Sequence, residues 1–141
     1  MINESFKLVG HVSVALNGKV VQEIPNLVVT SGKGYIASRM KDATATVMSH
    51  LAVGTNAASA SASNAALGAE VGRVALTGTV VSGGTITYSA TFAAGTGTGA
   101  LTEAAILNAS SGGTMLCRTV FSVVNKQAAD AMTITWSVSA S

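Results

Sequence analysis

Strict alternation over residues 85–94 constrains this chain more than any other feature. In T-I-T-Y-S-A-T-F-A-A, the residues Ile86, Tyr88, Ala90 and Phe92 fall on one side of an extended backbone. Thr85, Thr87, Ser89 and Thr91 fall on the other. A period of two belongs to a β-strand with a core against one face, whereas a helix would scatter the same residues around its axis. The pattern returns near the C-terminus, where Met132, Ile134, Trp136 and Val138 alternate with Thr133, Thr135, Ser137 and Ser139. The fold is therefore expected to be built from sheets.

The N-terminal third follows the same grammar. Phe6, Leu8, Gly10, Val12, Val14 and Leu16 alternate with Lys7, Val9, His11, Ser13 and Ala15. Asn17-Gly18 then supplies two residues that accept positive φ, the strongest short-range signal for a hairpin turn. The return strand runs over Lys19 to Ile24 and continues past Pro25 through Asn26 to Thr30, with a bend or an edge expected at Pro25, which has no N–H to give a ladder. Between Ser31 and Asp42 the alternation stops, and Tyr35, Ile36, Arg39 and Met40 form a stripe at helical spacing. Thr30 or Ser31 is available as its N-cap, and Lys41 suits the C-terminal end. Further strands are expected over His50 to Val53, Glu70 to Val81 with a possible break at Gly78, Leu101 to Asn108, and Met115 to Val124. Loops are expected over Ala43 to Ser49 and Asn125 to Asp130, and Asn56 to Ala66, all Ala, Ser and Asn, reads as a surface excursion. The total is one domain, 1–141, of about eight antiparallel strands and one short helix. Turn signals every eight to twelve residues point to a β-sandwich or a barrel.

Little in the chain is suited to catalysis. His11 and His50 are the only histidines, Cys117 is the single cysteine, and the six carboxylates are isolated from one another. No zinc spacing and no G-x-S-x-G elbow is present, and G-T-G-T-G at 95–99 lacks the Lys-Ser/Thr and the helix of a phosphate loop. No enzyme activity, cofactor or metal is expected. Cys117, inside an apolar strand, reads as an inert buried thiol and fits synthesis in a reducing compartment. The start M-I-N-E-S-F-K-L lacks the order of a signal peptide, and no 18-residue apolar run could span a bilayer. Only 10% of residues are charged, against about a quarter in an ordinary soluble domain. Gly, Ala, Ser and Thr take the places that Lys and Glu usually hold, which suits copies packed beside neighbours. A net charge of +2 with no basic run excludes an electrostatic nucleic-acid footprint.

Three side chains carry open readings. Arg118 lies between apolar neighbours on its strand and Glu103 opens the strand before it in the chain, either on a solvated face or in an inter-strand or inter-subunit ion pair, for which the forked guanidinium is well shaped. Trp136, the only tryptophan, reads as a core anchor ahead of an interface residue. Tyr35 fits either role.

The pieces N-L-V-V-T-S-G-K-G-Y-I-A-S-R-M, S-H-L-A-V-G-T-N, A-L-G-A-E-V-G-R-V-A-L-T, T-I-T-Y-S-A-T-F-A-A-G-T-G-T-G-A-L-T-E-A-A-I-L-N and M-L-C-R-T-V-F-S-V-V-N-K cover most of Asn26 to Trp136. Together they resemble small structural proteins of tailed bacteriophages, closest to the capsid cement, or decoration, proteins of short-tailed Bordetella phages. Ala105 stands where the family pattern would put a glycine. The resemblance implies a β-sandwich with jelly-roll character on the outer surface of the virion capsid, made in the host bacterial cytoplasm. It would bridge major capsid protein subunits and self-associate as a dimer or other small oligomer. It implies no catalytic residues, no membrane and no specific nucleic acid. Gly54-Thr55 would be a turn and Asn125-Lys126 the loop before the final strand. A tail or tail-fibre attachment module is the alternative. A carbohydrate-binding sandwich would need more solvent-facing aromatics than one Trp, two Tyr and three Phe provide. Candidate protein contacts are Tyr35, Arg39, Asn56, Ser59, Ser61, Ser63, Glu103 and Arg118. The segments Met1 to Ser5, Ala43 to Ser49 and Asn56 to Ala66 are the expected contact loops, the last ordering only on binding.

Overall fold

A computed structural model describes residues 7–140. Phe6 and the Met1 to Ser5 contact segment lie outside the described residues. The elements are β1 (Leu8–Leu16), β2 (Lys19–Pro25), β3 (Leu27–Val28), α1 (Thr30–Lys41), β4 (His50–Gly54), β5 (Glu70–Ala75), β6 (Gly78–Ser82), β7 (Thr85–Phe92), β8 (Gly99–Leu107), β9 (Met115–Lys126) and β10 (Met132–Ala140). They form two five-stranded sheets in a sandwich-like arrangement. One, here sheet A, has the order β2-β1-β10-β7-β6; the other, sheet B, has β3-β9-β8-β4-β5. All strand pairs are antiparallel. The two alternating stretches that head the sequence argument, β7 and β10, lie side by side with Trp136 opposite Tyr88 and Ile134 opposite Ala90.

The two stretches expected to bend or break, at Pro25 and at Gly78, are each divided between the sheets, which raises the count from eight to ten among the described residues. The Lys19–Thr30 arm leaves sheet A after Pro25 and enters sheet B as β3, which pairs with Arg118 and Cys117 of β9. The Glu70–Val81 stretch pairs first with β4 in sheet B, then crosses at Leu76 and Thr77 to pair with β7 in sheet A. Pro25, lacking an N–H, is a natural exit from a ladder. At the second crossing Leu76 N–H donates to Ser49 O on one side and Thr77 N–H to Ser89 O on the other, so the backbone is satisfied by each sheet in turn. The hairpin at Asn17-Gly18 forms as expected, with φ of 50° and 81°.

The helix starts one residue earlier than the stripe suggested, and neither Thr30 nor Ser31 caps it. Val29 occupies the N-cap with no side-chain hydrogen bond. Thr30 N–H donates instead to Ala62 O, and the Ser31 hydroxyl to Met115 O. Tertiary partners thus replace the local cap. Gly32, one of the two glycines that weaken the first turn, is buried against the Leu116 carbonyl, where a Cβ would overlap backbone. β9 runs on through Asn125 and Lys126, so these are strand rather than loop, because Val124 and Lys126 keep the inward alternation going.

Between the sheets lie Val12, Val14, Tyr88, Phe92, Ile134 and Trp136 from sheet A and Leu51, Val53, Leu101, Ile106, Cys117 and Phe121 from sheet B. Trp136 is fully buried, as a core anchor should be. A second, smaller cluster of Val29, Ala52, Ala105, Leu107 and Met115, with Leu67 packed on it, lies apart from the main one. Its members alternate with the main-core residues Leu51, Val53 and Ile106 along β4 and β8, so they occupy the other face of sheet B. Val29 opens the helix and Leu67 closes the Ala/Ser excursion. Sheet B is therefore buried on both faces.

Candidate functional site

The second face of sheet B carries the most elaborate polar arrangement in the molecule. Glu103 on β8 is fully buried and Arg118 on β9 is 2% exposed. Arg118 donates from Nε and Nη2 to Glu103 Oε1 at 3.2 and 3.0 Å. The same carboxylate accepts three backbone N–H groups from the excursion: Gly68 on Oε1 at 3.0 Å, and Asn56 and Ala69 on Oε2 at 3.0 and 2.9 Å. Arg118 Nη1 reaches the Asn64 carbonyl oxygen at 3.1 Å. The solvated-face reading of this pair does not hold. Buried carboxylates and guanidiniums are tolerated only when their hydrogen-bonding capacity is filled, and here an inter-strand pair fills it with a loop.

This explains how a segment without apolar anchors holds a shape. Both ends of the excursion are clasped by one carboxylate, Thr55 N–H donates to Ala69 O, and the middle is tied to the helix through Thr30 and Ala62. Asn56 and Asn64 make local turns by accepting Ala58 and Ser61 N–H. The excursion is thus fastened within the chain itself, and ordering on binding is not required for its shape. Asn64 and Gly68 were missed as participants, although an asparagine within a run of Ala and Ser is a usable signal, since its side chain competes for backbone N–H groups.

The candidate contact residues separate into two groups. Asn56, Ser59, Ser61 and Ser63 ride on the excursion directly above Glu103 and Arg118. The three serines are exposed and Asn56 is half-buried. Glu103 and Arg118 face this loop from within the fold, so at the surface they act only through what they hold. Tyr35 and Arg39 lie on α1. Tyr35 is half-buried against the main core, and exposed Arg39 donates from Nη1 to Ala45 O at 2.9 Å, shaping the 43–49 loop.

Other titratable groups are spread out. His11 is on β1 near Glu23, at 3.5 Å, and His50 is on β4 in the other sheet beside the Ser49 hydroxyl. Burial pushes the Cys117 thiol well above its ordinary range, and the Tyr88 hydroxyl likewise. The Asn17 amide and the Gln127 N–H hold Asp130 below the usual carboxylate range, and the Thr44 N–H does the same for Asp42. Lys126 is buried with its Nζ donating to Ala93 O at 3.0 Å. Among the described residues no three His, Cys, Asp or Glu side chains gather as metal ligands. No described helix is long and apolar enough to cross a membrane.

Apolar side chains also stand in solvent. On sheet A, β2 exposes Val20 and Val21 and the opposite edge strand, β6, exposes Val80 and Val81. Met40 on α1 is 85% exposed. No family model, curated protein or solved structure matches this chain.

Proposed function

We propose that this chain is a structural protein of a tailed-phage particle, a capsid cement protein that bridges major capsid protein subunits on the outside of the head. The observation that carries the reading is the surface. Among the described residues its carboxylates are drawn into contacts of their own chain, Glu23 with His11, Asp42 with Lys41, Glu70 with Arg73 and Asp130 with Asn17, Glu103 is withdrawn from the surface altogether, and valines stand exposed at both edges of sheet A. A surface weak in free charge and dotted with apolar groups favours permanent neighbours over free diffusion. The sequence resemblance supports the same assignment, together with jelly-roll character and self-association on the lattice. The role is mechanical and not catalytic. A protein that binds only the expanded shell stabilises that state by linkage, and many modest contacts on a closed lattice add up.

The test is heat-triggered DNA release from phage heads. Heads stripped of the protein should release DNA at lower temperature than native heads, and adding the protein back should restore them. Equal release temperatures in stripped and reconstituted heads refute the clamp. Binding confined to tails moves the protein to the tail or tail-fibre attachment class.

A further inference from the structure

Helix α1 does not lie flush on the sandwich. Along one flank runs a hollow of about 510 Å³, floored by Leu8, Leu27, Val28, Ile36 and Met40. Along the other runs a second of about 290 Å³, lined by Tyr35, Val81, Ile86, Tyr88 and Val138. Leu8 and Ile36 belong to both, so the two make one apolar trough that follows the helix. Lys7 and Lys33 stand on the lip of the larger hollow, and no acidic side chain lines either one. Among the described residues neither lysine has a carboxylate within salt-bridge distance. At the far end the trough reaches β6, the outermost strand of sheet A, whose outward backbone groups have no neighbouring strand.

We infer that this trough docks an acidic segment of a partner protein that carries large apolar side chains between carboxylates. The apolar floor takes the side chains, the paired lysines take the carboxylates, and the open β6 edge offers an extended chain somewhere to place its own N–H and C=O groups. The two joined hollows and that edge favour a polypeptide over a small amphiphile. The proposal rests on the structural-protein reading only for where such a partner is met, and it names the face through which the protein would hold its neighbour.

The probe is the synthetic peptide acetyl-Glu-Leu-Glu-Phe-Glu-Leu-Glu-amide, its binding to the full chain followed by amide chemical shifts. Saturable shifts confined to α1 and to the trough-lining residues of β1, β3, β6, β7 and β10 are expected, weakening as salt is raised. Lys33→Glu and Met40→Asp alter exposed side chains and should leave the thermal melt unchanged. Each should lower affinity about tenfold, the scale of one lost charge-assisted or buried contact. The double variant Lys7→Glu with Lys33→Glu should in turn prefer the same peptide with lysines in place of glutamates. Thr135→Glu, on the exposed face of sheet A, is the control and should change nothing. The inference fails if the shifts fall elsewhere or if the lysine peptide binds the native chain equally well. Peptide binding that appears only after residues 1–6 are removed also overturns it, as does a dimer that Met40→Asp dissolves, since the occupant is then the chain itself or a second copy. The head assay keeps the two readings apart. A protein that takes the peptide at the trough but never binds heads sustains the docking site and removes the cement role. Lys33→Glu protein that binds heads normally leaves the cement role standing on another face.

Discussion

The two sheets of this molecule share one core but present different second faces, and the contrast explains most of its behaviour. Sheet A turns Thr85, Thr87, Ser89 and Thr91 of β7 and their neighbours on β10 outward, and at both ends of the row hydroxyl meets hydroxyl, Thr85 with Ser139 at 2.8 Å and Thr91 with Thr133 at 3.0 Å. Sheet B has no such face. Ala52, Ala105, Leu107 and Met115 are covered by the start of α1 and the end of the 55–69 excursion, and Glu103 and Arg118 sit in the same layer. A sheet open on one side can lose outward side chains with little consequence; a sheet covered on both cannot. The lesson is that the excursion is a lid on a second, partly polar core.

Substitutions can break or sharpen this contrast. The largest effect belongs to the shared interior: Trp136→Ala should lose about 3–5 kcal/mol in denaturant unfolding, as large core truncations do. A loss below about 1 kcal/mol would place the indole outside the core. Next comes the covered face of sheet B. Glu103→Ala leaves Arg118 buried without its carboxylate and three backbone N–H groups without an acceptor, so a loss of about 3 kcal/mol is expected, the low end for a broken buried pair because a surface loop can open to water. Near-zero loss would show that the latch does not hold the excursion. Asn64→Ala removes one charge-assisted bond at the middle of the same loop and should lose about 1.5 kcal/mol, with faster amide exchange over 56–68. On the open face of sheet A, Thr87→Ala should change stability by less than about 0.5 kcal/mol. An effect as large as that of Asn64→Ala would erase the distinction between the faces.

The smallest effect is one of pH. Asp130, beside the Asn17 amide, titrates below its unfolded value, so its contribution is present above the unfolded carboxylate pKa and is lost as pH falls through the folded one. The melting temperatures of the native chain and of Asp130→Asn should therefore differ near neutrality and converge in acid. A gap that persists unchanged into acid would mean that the charge plays no part.

The same contrast governs what could be read from the amino-acid sequence. β7 and β10 were legible because solvent on one face forces alternation, and the Asn17-Gly18 hairpin because positive φ restricts residue choice. Sheet B was legible only as strands. With both faces covered, A-A-I-L over residues 104–107 shows no alternation, so nothing local says which side meets which layer. The interruptions at Pro25 and near Gly78 were legible from the residues there, but that the chain changes sheet at each was not, since each half keeps strand character on both sides of the break. Of the candidate contact residues, Glu103 and Arg118 were recognisable as a possible pair. That they clasp a loop depends on backbone N–H groups of Asn56, Gly68 and Ala69, which no side-chain pattern advertises.

The strand order β2-β1-β10-β7-β6 sets the first strand of the chain against the last. Asn17, at the tip of the first hairpin, bonds to Asp130 and Ala131 just before β10 begins. Without β10, β1 and β7 would have an empty lane between them, and sheet A would be two separate hairpins. Closing that lane joins residues more than a hundred positions apart, so β10 carries the largest loop-closure cost of sheet A. Sheet A thus holds together or comes apart at a single strand, and its two outer hairpins share one fate through β10.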